Sequence, residues 1–389
     1  LKRIIRMILL RTSLILSLLL FQIIVFFLII RYVANYGSWS TVFYVISIVI
    51  VIYMIAKEEN PQYKISWIIP ILVFPLFGGL FYLFYKRRNI SPKVLKKHLE
   101  IDKKRVAYLK KETLHVQDKD FVYLEQQNYP TYAHTETTFY PSGETMYEAM
   151  LNDLKSATSY IFLEFFIISK GEMWQQILDI LKDKAKSGVE VKLIYDDFGS
   201  STLPYNYPEQ LKKHGIDAIQ FNQMRMHLNF VMNYRDHRKI VVIDGRVGYT
   251  GGINIGDEYI NKIQPFGHWL DAGLRLEGDA VWSLCLTFLE NYSFSSKQEV
   301  DYLSYKKDIN KTKDGYVIPF AETPLDRELT TKNIYLSLIM SAKSSIEITT
   351  PYLIIDNELS TALKFAAKSG IKVSIIIPYV PDKKIVFMV

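Results

Sequence analysis

Three residues near the middle of the chain have the types and spacing that phosphoryl chemistry uses: His237, Lys239 and Asp244, in an H-x-K-x4-D pattern. Residues two apart in a β-strand point to the same face, so His237 and Lys239 are predicted to project together. A neutral imidazole can attack phosphorus as a nucleophile. An adjacent ammonium can hold the phosphate oxygens and stabilise charge in the transition state. A basic strand in an ordinary sheet is the alternative interpretation, because so short a motif also arises by chance.

Asp244 differs from the other two residues of the pattern. It is a candidate catalytic residue by its place in the motif, but its parity along the strand is opposite to that of Lys239. It is followed by Gly245, and Asp-Gly between the apolar runs KIVVI and RVGYTG is a strong hairpin signal. Local geometry therefore predicts that Asp244 shapes the end of the strand.

The residues that follow the motif add groups suited to binding a phosphate. Gly251 and Gly252 would let the backbone approach an anion closely, and Asn254 offers an amide donor. Asp271 could hold the second ring nitrogen of a site histidine, which is the usual way to fix the tautomer of a catalytic imidazole. Together these residues favour a catalytic centre over a basic strand.

The elements that must position these residues are predicted to be α/β. The continuous apolar run SYIFLEFFII, residues 159–168, is typical of a strand buried on both faces. An amphipathic helix over residues 172–187 ends at Gly188, and a second strand follows in VEVKLIYDDFG. This order predicts a β-α-β crossover.

The same unit recurs near the end of the chain. Residues 156–166 (SATSYIFLEFF) align with 341–351 (SAKSSIEITTP), and residues 185–195 (AKSGVEVKLIY) align with 367–377 (AKSGIKVSIII). The offsets are 185 and 182 residues, so the spacing differs by about three residues. Two unrelated amphipathic β-α-β units could look alike, but the paired AKSG helix ends favour a duplication of two related α/β halves.

Three apolar stretches come first in the chain, at residues 12–30, 39–56 and 65–85. Each has about the length of roughly 20 residues that spans a bilayer. A cleaved signal peptide is the alternative for the first stretch, although no A-x-A site follows it. We therefore expect two or three transmembrane helices.

A basic segment follows the apolar stretches. Residues 86–111 contain eleven Lys or Arg against Glu100 and Asp102, a local net charge of about +9 in a chain of net charge +7. Such a segment beside apolar sequence predicts contact with anionic lipid, at about 1 kcal/mol per charge; a solvated linker helix is the alternative. The single cysteine, Cys285, excludes an internal disulfide framework and a cysteine-based metal site.

The predicted organisation has four parts. They are a membrane-spanning region at 1–85, a basic juxtamembrane linker at 86–118, a first α/β half with the motif at 119–297, and the start of a second half at 298–389.

With these segments in place, the sequence resembles the phospholipase D superfamily and, within it, the bacterial cardiolipin synthases. The resemblance rests on five segments: NYRDHRKIVVIDGRVGYTGGINIGDEY, FGHWLDAGLRLEG, LEFFII, LIYDDFGS and WIIPILVFPLFGGLFYLFY. It extends over nearly the whole chain. It implies a duplicated phospholipase D-like fold, with a mixed sheet flanked by helices after N-terminal transmembrane helices, in a multi-pass protein of the bacterial cell membrane.

The resemblance also implies a reaction that needs no metal and no other cofactor. In the family, a histidine attacks the phosphodiester of one phosphatidylglycerol, releases glycerol and forms a phosphatidyl-histidine. The terminal hydroxyl of a second phosphatidylglycerol then attacks this intermediate and gives cardiolipin. By motif match, His237 is a motif histidine, Lys239 and Asn254 are phosphate contacts, Asp244 is the motif aspartate, and Asp271 orients the histidine.

The sequence departs from the family pattern in carrying one H-x-K-x4-D motif where the family has two, one per half. In the family, one histidine is the nucleophile and the other protonates the leaving group. His237 lies 49 residues after Gly188, and 49 residues after Gly370 is position 419, about 30 residues beyond Val389. We therefore expect this sequence to be part of a longer protein, with little turnover by these 389 residues alone.

Three functions remain open at the level of sequence. The first is cardiolipin synthesis by the complete protein, with phosphatidylglycerol as substrate. The second is hydrolysis of phospholipid or nucleic acid phosphodiesters at the same site, although the apolar stretches favour lipid and we expect no nucleic acid partner. The third is a non-catalytic membrane scaffold. The sequence contains no indication of the oligomeric state.

Overall fold

The structure is a computed structural model. It describes residues 20–21, 24, 37–57, 61–75, 78–79, 82, 92–109, 116–223, 235–296, 298–307, 309, 315–323, 325–326 and 328–380. The first apolar stretch, 12–30, lies almost entirely outside these residues, and so do parts of 65–85 and of the basic segment. The chain divides into two compact units, residues 1–95 with 226–231 and residues 96–225 with 232–389.

The smaller unit contains helices α1 (Gly37–Ile55) and α2 (Pro61–Val73). Their apolar side chains pack together in a small cluster of Val51, Met54, Ile71 and Tyr82. The hydroxyl of Ser47 on α1 donates to the carbonyl of Pro75, just beyond α2, at 3.0 Å. Among the described residues, no helix combines the length and the apolar character needed to cross a membrane.

The larger unit alternates helices and strands. Its helices are α3 (Pro92–Tyr108, of which residues 96–108 belong to this unit), α4 (Lys119–Gln126), α5 (Gly143–Ser156), α6 (Glu172–Lys186), α7 (Tyr207–Lys212), α8 (Val281–Ser296), α9 (Thr330–Ser341) and α10 (Asn357–Lys368). Its strands are β1 (Thr135–Tyr140), β2 (Tyr160–Phe165), β3 (Glu190–Asp196), β4 (Ile216–Phe221), β5 (Lys239–Ile243), β6 (Val247–Gly251), β7 (Gly273–Gly278), β8 (Ser345–Thr349) and β9 (Lys372–Ile376).

Seven of the strands form one mixed sheet in the order β1-β7-β6-β5-β2-β3-β4. Strands β2, β3 and β4 are parallel to one another, and β5 joins β2 antiparallel with Phe165 opposite Lys239. Strands β6, β7 and β1 extend the antiparallel side. The predicted mixed sheet flanked by helices is thus present, with β5 and its motif in the middle.

Side chains on the central strands alternate between two apolar layers. Ile161, Leu163 and Phe165 of β2 face the layer that includes α5 and α6. Tyr160 and Phe162 face the layer built on α8, where Phe162 stacks on Phe288 with ring centroids 4.6 Å apart. Because both faces are covered, a charged group on β2 or β5 is shut off from water and needs a partner inside the protein.

The hairpin between β5 and β6 is formed at Asp244 and Gly245. Both residues have positive φ, 53° and 63°, as a tight primed turn requires. The Asp244 carboxylate accepts hydrogen bonds from the backbone N–H groups of Thr158 at 2.8 Å, Ser159 at 2.7 Å and Tyr160 at 2.8 Å. Partial burial raises the pKa of Asp244, but these hydrogen bonds outweigh burial and leave the pKa below its ordinary value. Asp244 therefore ties the hairpin to the start of β2.

Strands β8 and β9 form a separate two-stranded parallel sheet linked by α10. Its first pair, Ser345 opposite Lys372, corresponds at offsets of 185 and 182 residues to Tyr160 opposite Glu190 in the large sheet. The helices α6 and α10 end at equivalent residues, before glycines with positive φ. The repeated sequence unit is thus also a repeated β-α-β structure with the same strand register.

The helix of the basic segment, α3, uses part of its positive charge within the larger unit. Lys97 Nζ donates to the carbonyl of Phe294 at 2.8 Å, at the carboxyl end of α8, where a cation is favoured by the helix dipole. Arg105 Nε lies 3.1 Å from Glu290 Oε1 of α8. These contacts dock α3 against the helix that covers the back of β2 and β5.

The hydrogen bonds of Asp244 predict a large stability loss on its removal. We expect Asp244→Ala to lower the free energy of unfolding by about 2–4 kcal/mol, because three backbone donors lose a charged acceptor. Urea unfolding of the detergent-solubilised protein measures this. The stabilisation should be present above the ordinary carboxyl pKa and fade as pH falls through the lowered one. Equal urea midpoints for Asp244→Ala and wild type would contradict this role.

Candidate active site

His237 and Lys239 lie together at the amino end of β5. Lys239 Nζ is 3.2 Å from His237 Nδ1 and donates to the His237 carbonyl at 2.6 Å. The ring of Phe166, just beyond β2, lies 4.8 Å from the imidazole and 5.7 Å from the Lys239 ammonium, measured to the ring centroid. The same-face prediction for the pair therefore agrees with the structure, and an aromatic ring forms one wall beside it.

Lys239 is almost completely buried, with 5% of its surface exposed. Burial lowers the pKa of Lys239 to about 8, while the negative charges of Asp236 and Asp271 act in the opposite direction. The ammonium is therefore poorly hydrated and held by nearby carboxylates. Such a group interacts strongly with an incoming anion, because little water has to be displaced from it.

Asp271 lies just before β7, on the Lys239 side of the site. Its carboxylate accepts from Trp269 Nε1 at 3.3 Å and from the backbone N–H of Ala272 at 2.8 Å. Burial raises the pKa of Asp271, and these two hydrogen bonds and the charge of Lys239 oppose the rise. Asp271 thus interacts with the lysine of the motif. Its role in orienting His237 remains a prediction.

Gly251 and Gly252, the two glycines expected to approach a phosphate, pack against the segment Asp271–Gly273. A Cβ on Gly252 would collide with the Asp271 carboxylate, and a Cβ on Gly251 would lie 2.6 Å from the carbonyl oxygen of Ala272. The Gly252 N–H also donates to that carbonyl, at 3.1 Å. The absence of a side chain at these two positions therefore lets the end of β6 pack against the Asp271 segment. Their approach to an anion remains a prediction.

Asn254 is buried, and both ends of its amide have partners in the protein. Its Oδ1 accepts from the backbone N–H of Ile167 at 3.0 Å, and its Nδ2 donates to the Tyr259 hydroxyl at 3.1 Å. Ile167 directly follows Phe166, the ring beside His237. Asn254 thus holds the wall of the site in place.

Asp244 lies at the other end of β5. Five residues separate it from Lys239, which corresponds to about 16 Å along a strand. The structure therefore brings His237 and Lys239 together, places Asp271 near the lysine with Gly252 against its carboxylate, and places Asp244 at the far end of the strand.

Four further residues around the pair did not emerge from the sequence: Glu164, Phe166, Asp236 and Asn291. Glu164 is completely buried near the carboxyl end of β2, and Asn291 on α8 donates to Glu164 Oε1 at 3.0 Å and to Asp236 Oδ2 at 2.9 Å. One signal for Glu164 was available, since a glutamate within a strand buried on both faces needs a specific partner. Asn291 carried no such signal, because it lies 127 residues from Glu164.

Chemically, the arrangement presents an imidazole and a desolvated ammonium on one face. An anionic phosphoryl group could contact both at once, with the ammonium on its oxygens and a ring nitrogen near phosphorus. Phe166 restricts the approach of water from one side.

Comparisons with known proteins show which family the chain resembles. Residues 150–264 match the family model described as "Cardiolipin synthase, PLD-like domain", and residues 42–87 match "Phospholipase_D-nuclease N-terminal". The first of these matches includes His237, Lys239, Asp244 and Asn254.

Curated relatives match over most of the chain. A cardiolipin synthase of Alkalihalophilus pseudofirmus is 36% identical over 90% of this chain and 73% of its own length. A cardiolipin synthase of Halalkalibacterium halodurans is 34% identical over 90% of this chain and 73% of its own length. An uncharacterised protein of Streptococcus mutans is 39% identical over 87% of this chain and 76% of its own length. The chain belongs to the cardiolipin synthase family of phospholipase D-like proteins.

Proposed function

We propose that the complete protein is a phosphatidyltransferase that converts two molecules of phosphatidylglycerol into cardiolipin and glycerol. The observation that carries this proposal is the contact of His237 with the buried ammonium of Lys239 in a chain of the cardiolipin synthase family. The site pairs a nucleophile with a fixed positive charge, which is what a phosphodiester requires.

The reaction proceeds in two displacements at phosphorus. A ring nitrogen of His237 forms a P–N bond to the first phosphatidylglycerol, and the P–O bond to glycerol breaks. The departing glycerol takes a proton from a general acid, for which the family resemblance implies a second motif histidine. The terminal hydroxyl of a second phosphatidylglycerol then gives its proton to the same group, now a base, and forms a new P–O bond as the P–N bond to His237 breaks. No bond energy from a nucleotide is needed, because the phosphodiester is conserved.

Lys239 binds the phosphate oxygens in both displacements. A phosphate in the site draws the ammonium away from His237 Nδ1, which it touches in this structure. Nδ1 can then carry the ring proton and leave Nε2 free to attack. Asp236 and Asp271 keep Lys239 charged against the effect of burial.

The supporting residues have three different tasks in this proposal. Asp271 acts on Lys239 and, once phosphate is bound, on the orientation of His237. Gly251 and Gly252 leave room for the Asp271 segment and for the phosphate beside it. Asn254 fixes the Phe166 wall and supplies the phosphate contact that the motif match assigns to it, while Asp244 holds the hairpin.

We further propose that the protein acts at the bacterial membrane as a multi-pass enzyme, anchored by its N-terminal apolar stretches. Lys97, Lys104 and Arg105 of α3 are paired with groups of the larger unit. The contact with anionic lipid is therefore assigned to exposed lysines of the same helix, such as Lys96 and Lys103.

Product analysis decides among the functions. The complete purified protein in phosphatidylglycerol vesicles with radiolabelled phosphate should form labelled cardiolipin and release glycerol. Labelled phosphatidic acid without cardiolipin would favour hydrolysis instead, and cleavage of added single-stranded DNA would favour a nuclease. A protein that binds vesicles but yields none of these products would be a membrane scaffold.

Removal of the proposed nucleophile should abolish turnover. We expect His237→Ala in the complete protein to lower the rate by at least about 10³-fold, because no covalent intermediate can form. Rapid denaturation in alkali after a brief reaction should leave labelled lipid on wild type and none on the variant. His214→Ala, at an exposed histidine beyond α7, is the matched control and should keep the wild-type rate. A wild-type rate for His237→Ala would remove this residue from the mechanism.

The lowered pKa of Lys239 predicts the alkaline side of the pH profile. Lys239 is charged below its pKa of about 8 and neutral above it, so kcat/KM should fall as pH rises through about 8. Lys239→Arg should be slower but should shift this fall to higher pH, because a guanidinium stays charged. Lys192→Arg, at another buried lysine, is the control and should leave the profile unchanged. If kcat/KM of Lys239→Arg fell at the same pH as that of wild type, the fall would have to be caused by the titration of another group.

A further inference from the structure

A pair of buried carboxylates lies directly behind His237. Glu164 is completely enclosed in β2, and Asp236 precedes the motif histidine with 5% of its surface exposed. The side-chain amide of Asn291 donates to one oxygen of each acid, at 3.0 Å and 2.9 Å. Arg238, the residue after His237, lies 3.5 Å from Glu164 Oε1. The neighbours of His237 on both sides are therefore linked to Glu164: Asp236 through the amide of Asn291, and Arg238 by its own guanidinium.

The two acids cannot both be ionised at this separation without strong repulsion. One amide nitrogen, Asn291 Nδ2, donates to an oxygen of each acid, yet Glu164 Oε2 is enclosed and accepts from no donor within the described residues. A proton on that oxygen resolves both facts, because a protonated acid can donate to the neighbouring carboxylate.

The surroundings decide which acid carries the proton. Asp236 accepts from the backbone N–H of Arg238 at 3.2 Å and from Asn291, and its negative charge acts on Lys239. In each of these interactions Asp236 is the acceptor or the negative partner. Glu164 has no exposed surface, and its environment disfavours a charge.

We propose that Glu164 is held as a neutral acid that donates its proton to Asp236, and that this bridge, closed by Asn291, fixes the backbone on both sides of His237. The three residues touch neither substrate nor reacting atoms, so they are positioning residues. The bridge also leaves one negative charge, on Asp236, beside the ammonium of Lys239. As far as turnover is concerned, the inference rests on the proposed function.

The electrostatics of Glu164 support this assignment. Burial raises the pKa of Glu164 well above its ordinary value, the charge of Asp236 raises it further, and Arg238 acts against both. On α8, Glu290 adds a third acid, which is partly exposed, paired with Arg105 of α3 and interacting with Arg238. Partial burial raises its pKa to about 7. A measurement of the protonation state of Glu164 must therefore distinguish its carboxyl group from that of Glu290.

Infrared spectroscopy tests the proton directly in the complete protein. At pH 7, the difference spectrum of wild type minus Glu164→Gln should show the carbonyl band of a protonated carboxylic acid. The same subtraction in a Glu290→Gln background should retain that band. A carboxylate band in its place would show that Glu164 is ionised and would overturn the proposal, whether or not the protein makes cardiolipin.

Thermal unfolding gives a second test that does not depend on activity. A raised folded-state pKa means that wild type has its full stability below the ordinary carboxyl pKa and loses stability as pH rises towards the raised value. Glutamine does not titrate, so the Tm of Glu164→Gln relative to wild type should increase steadily from pH 5 to pH 8. A difference that stays constant with pH, with Glu164→Gln the less stable, would indicate an ionised partner of Arg238.

Kinetics test whether the bridge positions His237. Glutamine can donate to Asp236 and accept from Asn291 as the neutral acid does, so Glu164→Gln should keep kcat within about threefold of wild type. Glu164→Ala and Asn291→Leu should lower kcat by about 10–100-fold with little change in KM, since small displacements of a nucleophile have effects of this size. Thr287→Val removes a hydrogen bond confined to α8 and should be neutral. Equal loss in Glu164→Gln and Glu164→Ala would refute the bridge.

Discussion

The burial of the Lys239 ammonium beside His237 constrains the structure around it. Water cannot stabilise this charge, so carboxylates must, and they come from two places: Asp236 on the segment leading into β5, and Asp271 on the segment leading into β7. Asp236 is close to the lysine in sequence, and Asp271 is brought near it because β6 pairs with β5 on one side and with β7 on the other. The close approach at Gly251 and Gly252 follows from the same requirement, since a side chain at Gly252 would displace Asp271.

The helices packed on the other face of the sheet support the amino end of β5, where His237 and Lys239 lie. Helix α8 packs Phe288 onto Phe162 and, one turn later, directs Asn291 at Glu164 and Asp236. Helix α3 docks on α8 through Arg105 and Glu290. A part of the basic segment that could bind lipid is therefore also structural support for the site. At the opposite end of β5, Asp244 ties the hairpin to β2, so that the strand is fixed at both ends.

Much of the scaffold followed from local sequence. Continuous apolar runs, an amphipathic helix and a glycine helix end predicted the β-α-β unit, and the repeated AKSG segments predicted its second copy. These patterns are reliable because side-chain burial repeats every two residues in a strand and about every 3.6 in a helix. The packing of α3 was not predictable in this way, because its cations bind α8 residues almost 200 positions away.

For the site, the sequence by itself determined that His237 and Lys239 share a face and that Asp244 forms a turn, because strand parity and turn chemistry depend on neighbouring residues. The tertiary structure alone decided what compensates the buried charges. It connects Asp271 to Lys239, gives the amide of Asn254 partners inside the protein, and joins Glu164 to Asp236 through Asn291. The physical reason is that a buried charge is stabilised by whatever lies nearest in space, and the sheet order and the packing of α8 set those distances.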